Sequence, residues 1–229
     1  PPRKMAKMLS RGQFDMLGSP TAYYLGLVPE GRTLQVANQG PHALRKNGGW
    51  ALLQKIYKKK AKSHLLAWGN NRTSSLMYLA FKPKLDADGV PDLTGIKMRA
   101  TGTYRPLFRA LGASTINIKG SEVYTAMQRG TVKGFGFPAV GTVPNGFHKV
   151  AEYRVTPHYY QTNEVVTVNL EVWAGLNQKQ KDFLTKKAME FEKTSVKYVQ
   201  AAWEKEEKIM LTKGGLDGKG IKTIALKGK

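Results

Sequence analysis

The chain has 229 residues, 41% of them hydrophobic, no cysteine, and a formal net charge of +21. That length buries a sizeable core, as one large domain or two small ones, and the lack of cysteine excludes disulfides, thiolate metal sites and cysteine nucleophiles. No run approaches the roughly eighteen apolar residues a spanning helix needs, and the opening PPRKMAKMLSRG lacks the apolar centre of a secretory signal, so an exported form is expected to be mature or trimmed.

In chain order, periodicity predicts alternating helices and strands. Residues 3–9 read as the tail of a helix stopped at Gly12, and 14–17 as a short buried strand. Ser19-Pro20 looks like an N-cap followed by proline at the first helical position, predicting a helix over 19–27. Residues 29–49 are polar and Gly-rich, helical only around 42–46. Over 50–60, Leu52, Leu53, Ile56 and Tyr57 fall on one side of a helix and lysines on the other. Two extended segments follow, 63–68 and 75–85, closed by the turn-rich loop 86–91.

Beyond that loop the pattern gives a strand at 96–99, a helix at 104–111, a strand at 115–118 and a helix over 122–128. Ser121 is the expected cap of that helix and Gly130 its stop. Residues 162–170 are β-branched enough for a central strand. Asn177 and Gln180 form a capping pair for a helix that runs to about residue 210. At more than thirty residues this helix is long enough, roughly 50 Å, to bridge two lobes. A short strand at 221–226 ends the pattern.

The charge is uneven. Residues 1–80 carry thirteen Lys and Arg against two acids, 81–162 eleven against five, and 163–229 thirteen against nine. Such a balance attracts polyanions. Most of the lysines are scattered, as on a solvated surface, and only Lys58-Lys59-Lys60-Ala61-Lys62 is a tight run. No zinc-finger spacing, RNP-like signature or basic zipper accompanies them.

Catalytic signatures are missing. His42, His64, His148 and His158 show no metal-ligand spacing, and no GxSxG elbow supports a hydrolase. Gly134-Phe135-Gly136 runs into Phe137-Pro138, which spoils a dinucleotide-binding helix start. Residues 214–220 resemble a phosphate loop by composition only. Asp86, Asp88 and Asp92 lack the later glutamate of a calcium loop. Neither a metal nor a cofactor is expected, and no acid/base pair points to an enzyme.

Residues 94–138 are the most informative. Asp92-Leu93-Thr94-Gly95-Ile96-Lys97-Met98-Arg99 leads into Ala110-Leu111-Gly112-Ala113. Glu122-Val123-Tyr124-Thr125-Ala126-Met127-Gln128-Arg129-Gly130 follows, and then Thr131-Val132-Lys133-Gly134. In order and spacing this resembles TRAP-transporter solute-binding proteins of the DctP type. Gly12 to Met16 with Tyr23, residues 150–155 and residues 168–176 extend the likeness over about residues 10–210. Lys133 replaces the family's usual aspartate. Compared with the family pattern, the resemblance implies that the first strand and helix of the N-terminal lobe are missing, as is the final helix.

The resemblance implies an α/β, two-lobed fold of the type II periplasmic-binding-protein kind, with a cleft between lobes and a long lobe-spanning helix. Lobe I is expected over 1–81 and 163–205, lobe II over 82–162 and 206–229. It also implies a periplasmic receptor, monomer or homodimer, that closes on a small organic carboxylate and delivers it to the membrane permease of a TRAP uptake system. By its match to the family motif, Arg99 is the expected carboxylate anchor. A guanidinium keeps its charge when desolvated and offers parallel donors. Phe137 takes the position of a residue that lies over the ligand in the family. Ser19 and Tyr23 are secondary candidates, at a helix start suited to an anion. Lys82, Tyr104 with Arg105, and Asn163 with Glu164 complete the set. The competing reading, from charge, is a basic polyanion-binding protein for nucleic acid or anionic lipid.

Overall fold

The computed structural model describes residues 4–226, apart from the side chains of 71–73. The chain divides into two compact units, residues 1–73 with 161–199 and residues 74–160 with 200–229. Each division falls a little earlier in the chain than the lobe boundaries expected at 81/82, 162/163 and 205/206. Strands β2 (Ser63–Leu79) and β8 (Tyr153–Asn169) and the helix α7 (Gln178–Lys213) each pass from one unit into the other.

In the first unit, α1 (Met5–Leu9) leads to β1 (Met16–Pro20), which pairs antiparallel with the second half of β8, Met16 opposite Val168 and Pro20 opposite Glu164. The helix expected over 19–27 does not form. Ser19 and Pro20 are the last residues of β1, and only a 3₁₀ turn, Thr21–Tyr23, follows. The Ser-Pro pair that reads as a helix start serves equally at a sheet edge, where proline's missing N–H costs no ladder bond, and β1 is such an edge strand.

Helix α2 (Pro41–Lys46) precedes α3 (Gly49–Ala61), which buries Trp50, Leu53, Tyr57 and Ala61, a stripe at helical spacing. These side chains meet Leu9, Leu17, Tyr24, Leu65 and Trp68 in one core. A smaller cluster joins Leu66, Ala67 and Val168 to α7 and to Val172 and Trp173 of α6 (Leu170–Gly175). Asn169 starts α6: its Oδ1 accepts from the N–H groups of Glu171 and Val172, and its Nδ2 donates to the Leu9 carbonyl at 2.9 Å.

The segment expected at 63–68 and the first half of that expected at 75–85 prove to be one continuous strand, β2, which ends at Leu79; of the rest only Lys84 and Leu85 are extended, in a separate short strand. Gly69 breaks the apolar pattern of β2 because the ring of Phe191 occupies the place a Cβ would need. The next residue of α7, Glu192, is buried. It accepts two hydrogen bonds from Arg45, at 2.7 and 3.2 Å, and one from the Trp68 N–H at 3.0 Å. Removing one partner of such a buried pair costs about 3–5 kcal/mol. Helix α7 begins as its capping pair requires, Asn177 and Gln180 each accepting the other's backbone N–H at 2.9 Å.

In the second unit, the rest of β2 pairs antiparallel with β7 (Gly134–Pro138). Beside β7 runs β5 (Lys97–Arg99), parallel to it and to β6 (Ser114–Ile116). The first half of β8 pairs with β9 (Lys222–Ala225), so β8 begins well before the expected residue 162. A two-residue ladder joins β3 (Lys84–Leu85) to β4 (Pro91–Asp92). Alternation along β2 covers both faces. Leu76 and Tyr78 enter one core with α5 (Val123–Gln128), Phe147 and Met210, while Met77 and Leu79 enter another with Met98, Tyr104 and Phe108. Ser121 does not cap α5; it lies in a 3₁₀ turn, Gly120–Glu122, ahead of it. Glu206 of α7 is buried, and its carboxylate accepts the N–H groups of Gly141 and Val143 at 2.9–3.0 Å.

Candidate functional site

Arg99 is the last residue of β5, at the C-terminal end of the parallel strands. Open α/β sheets bind ligands at that end, where helices have not yet covered the strand tips. Its side chain is 4% exposed. Nε donates to the Ile118 carbonyl at 3.1 Å, and Nη1 donates to the Tyr104 hydroxyl at 2.7 Å and to the Gly136 carbonyl at 2.9 Å. Both hydrogens of Nη1 and the one on Nε are therefore used, and Nη2 has no hydrogen-bond partner among the described residues. Nor does any carboxylate among them pair with this guanidinium, whereas Arg45 and Arg154 each hold a glutamate at 2.7 Å. A buried cation without a counter-charge is costly unless an anion reaches it.

Tyr104 stands at the start of α4 (Arg105–Ala110), itself buried, and its hydroxyl donates onward to the Gly136 carbonyl at 2.6 Å. Its ring lies within 6 Å of Phe108, Tyr159 and Tyr160, centroid to centroid. Gly136 is glycine for a steric reason, since a Cβ there would meet the Tyr104 ring and the Tyr159 hydroxyl. Burial raises the Tyr159 phenol well above its ordinary pKa, so it stays neutral. The aromatic group of Tyr159 and Tyr160 was not among the candidates read from sequence. The adjacent tyrosines were its only sequence signal, and nothing there linked them to Arg99. Arg105, next to Tyr104, has a buried Nε with no partner among the described residues.

Phe137 is half-buried and stands opposite Leu76 in the β2–β7 ladder. Arg99 and Phe135 are partners in the parallel register, so strand alternation sends Arg99, Phe135 and Phe137 to one face and Gly136 to the other. The Phe137 ring meets Phe147 edge-on at 4.8 Å. Lys82 is exposed, just after β2.

In the first unit, Ser19 is buried within β1, its hydroxyl 3.4 Å from the Pro20 carbonyl, and Tyr23 is half-buried in the turn that follows. No helix N-terminus stands there, contrary to the sequence expectation. Asn163 is 1% exposed, accepting from the Thr21 hydroxyl at 2.6 Å and donating to the Leu34 carbonyl at 2.8 Å, so its amide holds that turn in place. Its neighbour Glu164 accepts from Asn70 at 3.2 Å, and burial raises its pKa. Thus the structure groups Arg99, Tyr104 and the β7 backbone in one unit and Ser19, Tyr23 and Asn163 in the other.

Among the described residues, no group of three or more His, Cys, Asp and Glu side chains could hold a metal, and no helix is long and apolar enough to cross a membrane. Residues 1–225 match the family model of bacterial extracellular solute-binding proteins, family 7, DctP. The chain belongs to this family. Over 168 residues it is 29% identical to a monocarboxylate 2-oxoacid-binding periplasmic protein of Nostoc sp., and the match covers 67% of this chain but only 43% of that relative.

Solved structures agree on the DctP fold. A TRAP periplasmic solute-binding protein from Sulfitobacter sp. with bound β-D-galacturonate superimposes with a TM-score of 0.81 at 15% identity, covering 98% of this chain and 74% of that one. One from Desulfovibrio salexigens with orotic acid gives 0.80 at 20%, covering 99% and 71%. One from Pseudomonas aeruginosa with L-malate gives 0.80 at 16%, covering 98% and 77%. The α/β architecture of two units is the fold of these two-lobed receptors.

Proposed function

We propose that this DctP-family chain is the periplasmic solute-binding component of a TRAP-type uptake system, binding a small organic acid anion for delivery to the membrane permease. The observation that carries the reading is Arg99: buried, at the ligand-binding end of a parallel sheet, with Nη2 open and no carboxylate partner among the described residues. A ligand carboxylate on Nη2 supplies the missing charge. Since Nε and Nη1 are already engaged, the contact is made through one nitrogen rather than through the usual two-nitrogen fork. One cation suits one carboxylate, which accords with the name of the Nostoc relative. Galacturonate, orotate and malate, held by the structural neighbours, are all carboxylates.

Tyr104 fixes the guanidinium, and Phe137 offers an apolar wall on the same sheet face. That favours a ligand with some hydrocarbon body over a heavily hydroxylated one. Ser19, Tyr23, Asn163 and Lys82 rank behind them, being engaged within the protein, half-covered or exposed. The family of solute-binding proteins to which the chain belongs supports a receptor over an enzyme.

A thermal-shift panel of 2-oxo, hydroxy, aromatic and dicarboxylic acids identifies the class, because a bound ligand raises the melting temperature by mass action. Calorimetry with the best acid then tests the anchor. Arg99→Ala is expected to weaken binding at least tenfold. Unchanged affinity rules the anchor out.

A further inference from the structure

We propose that the outward face of α3 is a docking surface for anionic phospholipid, separate from the solute site and independent of its chemistry. The sequence of this helix puts Ala51 or Leu52, then Lys55, then Lys58 or Lys59 at successive helical turns on one side, with Lys62 just past its end as the C-cap. All six are exposed, Leu52 at 61%. The opposite side, Trp50, Leu53, Tyr57 and Ala61, is spent on the core. The exposed side borders a broad open groove of about 960 Å³ lined by Trp50, Ala51, Gln54 and the lysines 55, 58 and 59, with no acidic residue in the lining.

The availability of charge decides which cations act. Arg45 also borders the groove, but its guanidinium is neutralised by Glu192 and stacked 3.7 Å over Trp50. Lys60 is tied to Glu30. Among the described residues no acid pairs with Lys55, Lys58 or Lys59. Their field is not balanced within their unit either, since residues 1–73 and 161–199 carry nineteen Lys and Arg against seven acids. Glu192, the acid beside the groove, is taken by Arg45. Three unpaired ammonium groups on flexible stems, beside an exposed leucine, match a surface of phosphate headgroups over hydrocarbon. The lysines meet the phosphates and Leu52 enters the boundary.

Nucleic acid shares the phosphates but fits less well. Binding of single strands relies on open aromatic rings for base stacking. The only aromatic residues of this helix, Trp50 and Tyr57, are buried, Trp50 under the Arg45 guanidinium. Lipid is therefore the occupant that the charge and the apolar pattern together select.

The test is co-sedimentation of the chain with vesicles of phosphatidylcholine alone and of phosphatidylcholine with about one third phosphatidylglycerol, whose negative surface attracts basic residues, over a salt series. Wild type is expected to bind only the anionic vesicles and to be released by salt. Each lysine near a charged surface contributes about fivefold, so the triple variant Lys55→Gln, Lys58→Gln, Lys59→Gln is expected to lose on the order of a hundredfold. A control with equal charge removed elsewhere, Lys84→Gln, Lys97→Gln, Lys133→Gln, is expected to lose little. Equal loss in both triples overturns the local surface in favour of a diffuse field. Failure of wild type to bind, or tighter binding to DNA that the first triple abolishes, overturns the lipid assignment. Neither result touches acid binding at Arg99, which calorimetry reads separately.

Discussion

Replacing Tyr104 by phenylalanine isolates what holds the buried guanidinium. The substitution removes only the hydroxyl, and the ring keeps its contacts with Phe108, Tyr159 and Tyr160. Two hydrogen bonds go: the one accepted from Arg99 Nη1 at 2.7 Å and the one donated to Gly136 at 2.6 Å. The Gly136 carbonyl is not orphaned, since Nη1 still donates to it at 2.9 Å. The loss is therefore one bond to a charged group, about 1.5–3 kcal/mol, and one neutral bond of about 1 kcal/mol. At a total of about 3 kcal/mol, a chain of this size melts roughly 6–12 °C lower. Affinity for the acid falls as well, by about tenfold, because the cation must then be ordered on binding. Scanning fluorimetry and calorimetry on the same preparations measure both. A melting temperature within about 2 °C of wild type would refute the reasoning, for it would mean that the hydroxyl carries no net bond.

Two further predictions concern the first unit. His64 lies stacked on Trp173 with ring centroids 3.7 Å apart, and burial together with Lys58, Arg45 and Lys181 lowers its pKa to about 4. The unfolded chain binds the proton at its ordinary value near 6.5, so between these values the unfolded state holds more protons and stability falls as pH drops. His64→Phe keeps the stack and is expected to flatten the urea-stability profile between about pH 6.5 and 4; an unchanged slope assigns the loss to other groups. Asn169→Ala removes the cap of α6 and the bond to the Leu9 carbonyl, a cost of about 2 kcal/mol in urea unfolding. A change under about 0.5 kcal/mol would show that water replaces both contacts.

Much of the fold could be read from spacing because the signals were local. The Asn177–Gln180 pair needs only one turn of helix to declare itself and formed as read. Helix α3 formed where expected but with its buried stripe turned to Trp50, Leu53, Tyr57 and Ala61, leaving Leu52, read onto the apolar side, exposed among the lysines. The misreadings arose where one signal serves two structures. Ser19-Pro20 fits a helix start and a strand end alike, and only the pairing of β1 with β8, far along the chain, decides between them. Gly69 looked like the end of a strand because its actual partner, Phe191, lies more than a hundred residues away. The same holds at the candidate site. Arg99 could be singled out by its motif, whereas the contacts that Gly136 and Tyr159 make with it and with Tyr104 join distant parts of the chain.

The open Nη2 of Arg99 has a practical consequence for the reagents used with this protein. If Arg99 is the proposed carboxylate anchor, a preparation without added solute is not thereby free of ligand, because small carboxylates in the medium meet a guanidinium that no carboxylate among the described residues pairs with. On the proposed anchoring of a carboxylate by Arg99, acetate, citrate and formate buffers are expected to act as competitors. An affinity measured in them understates the intrinsic one by the factor 1 + [L]/Kd of the buffer anion.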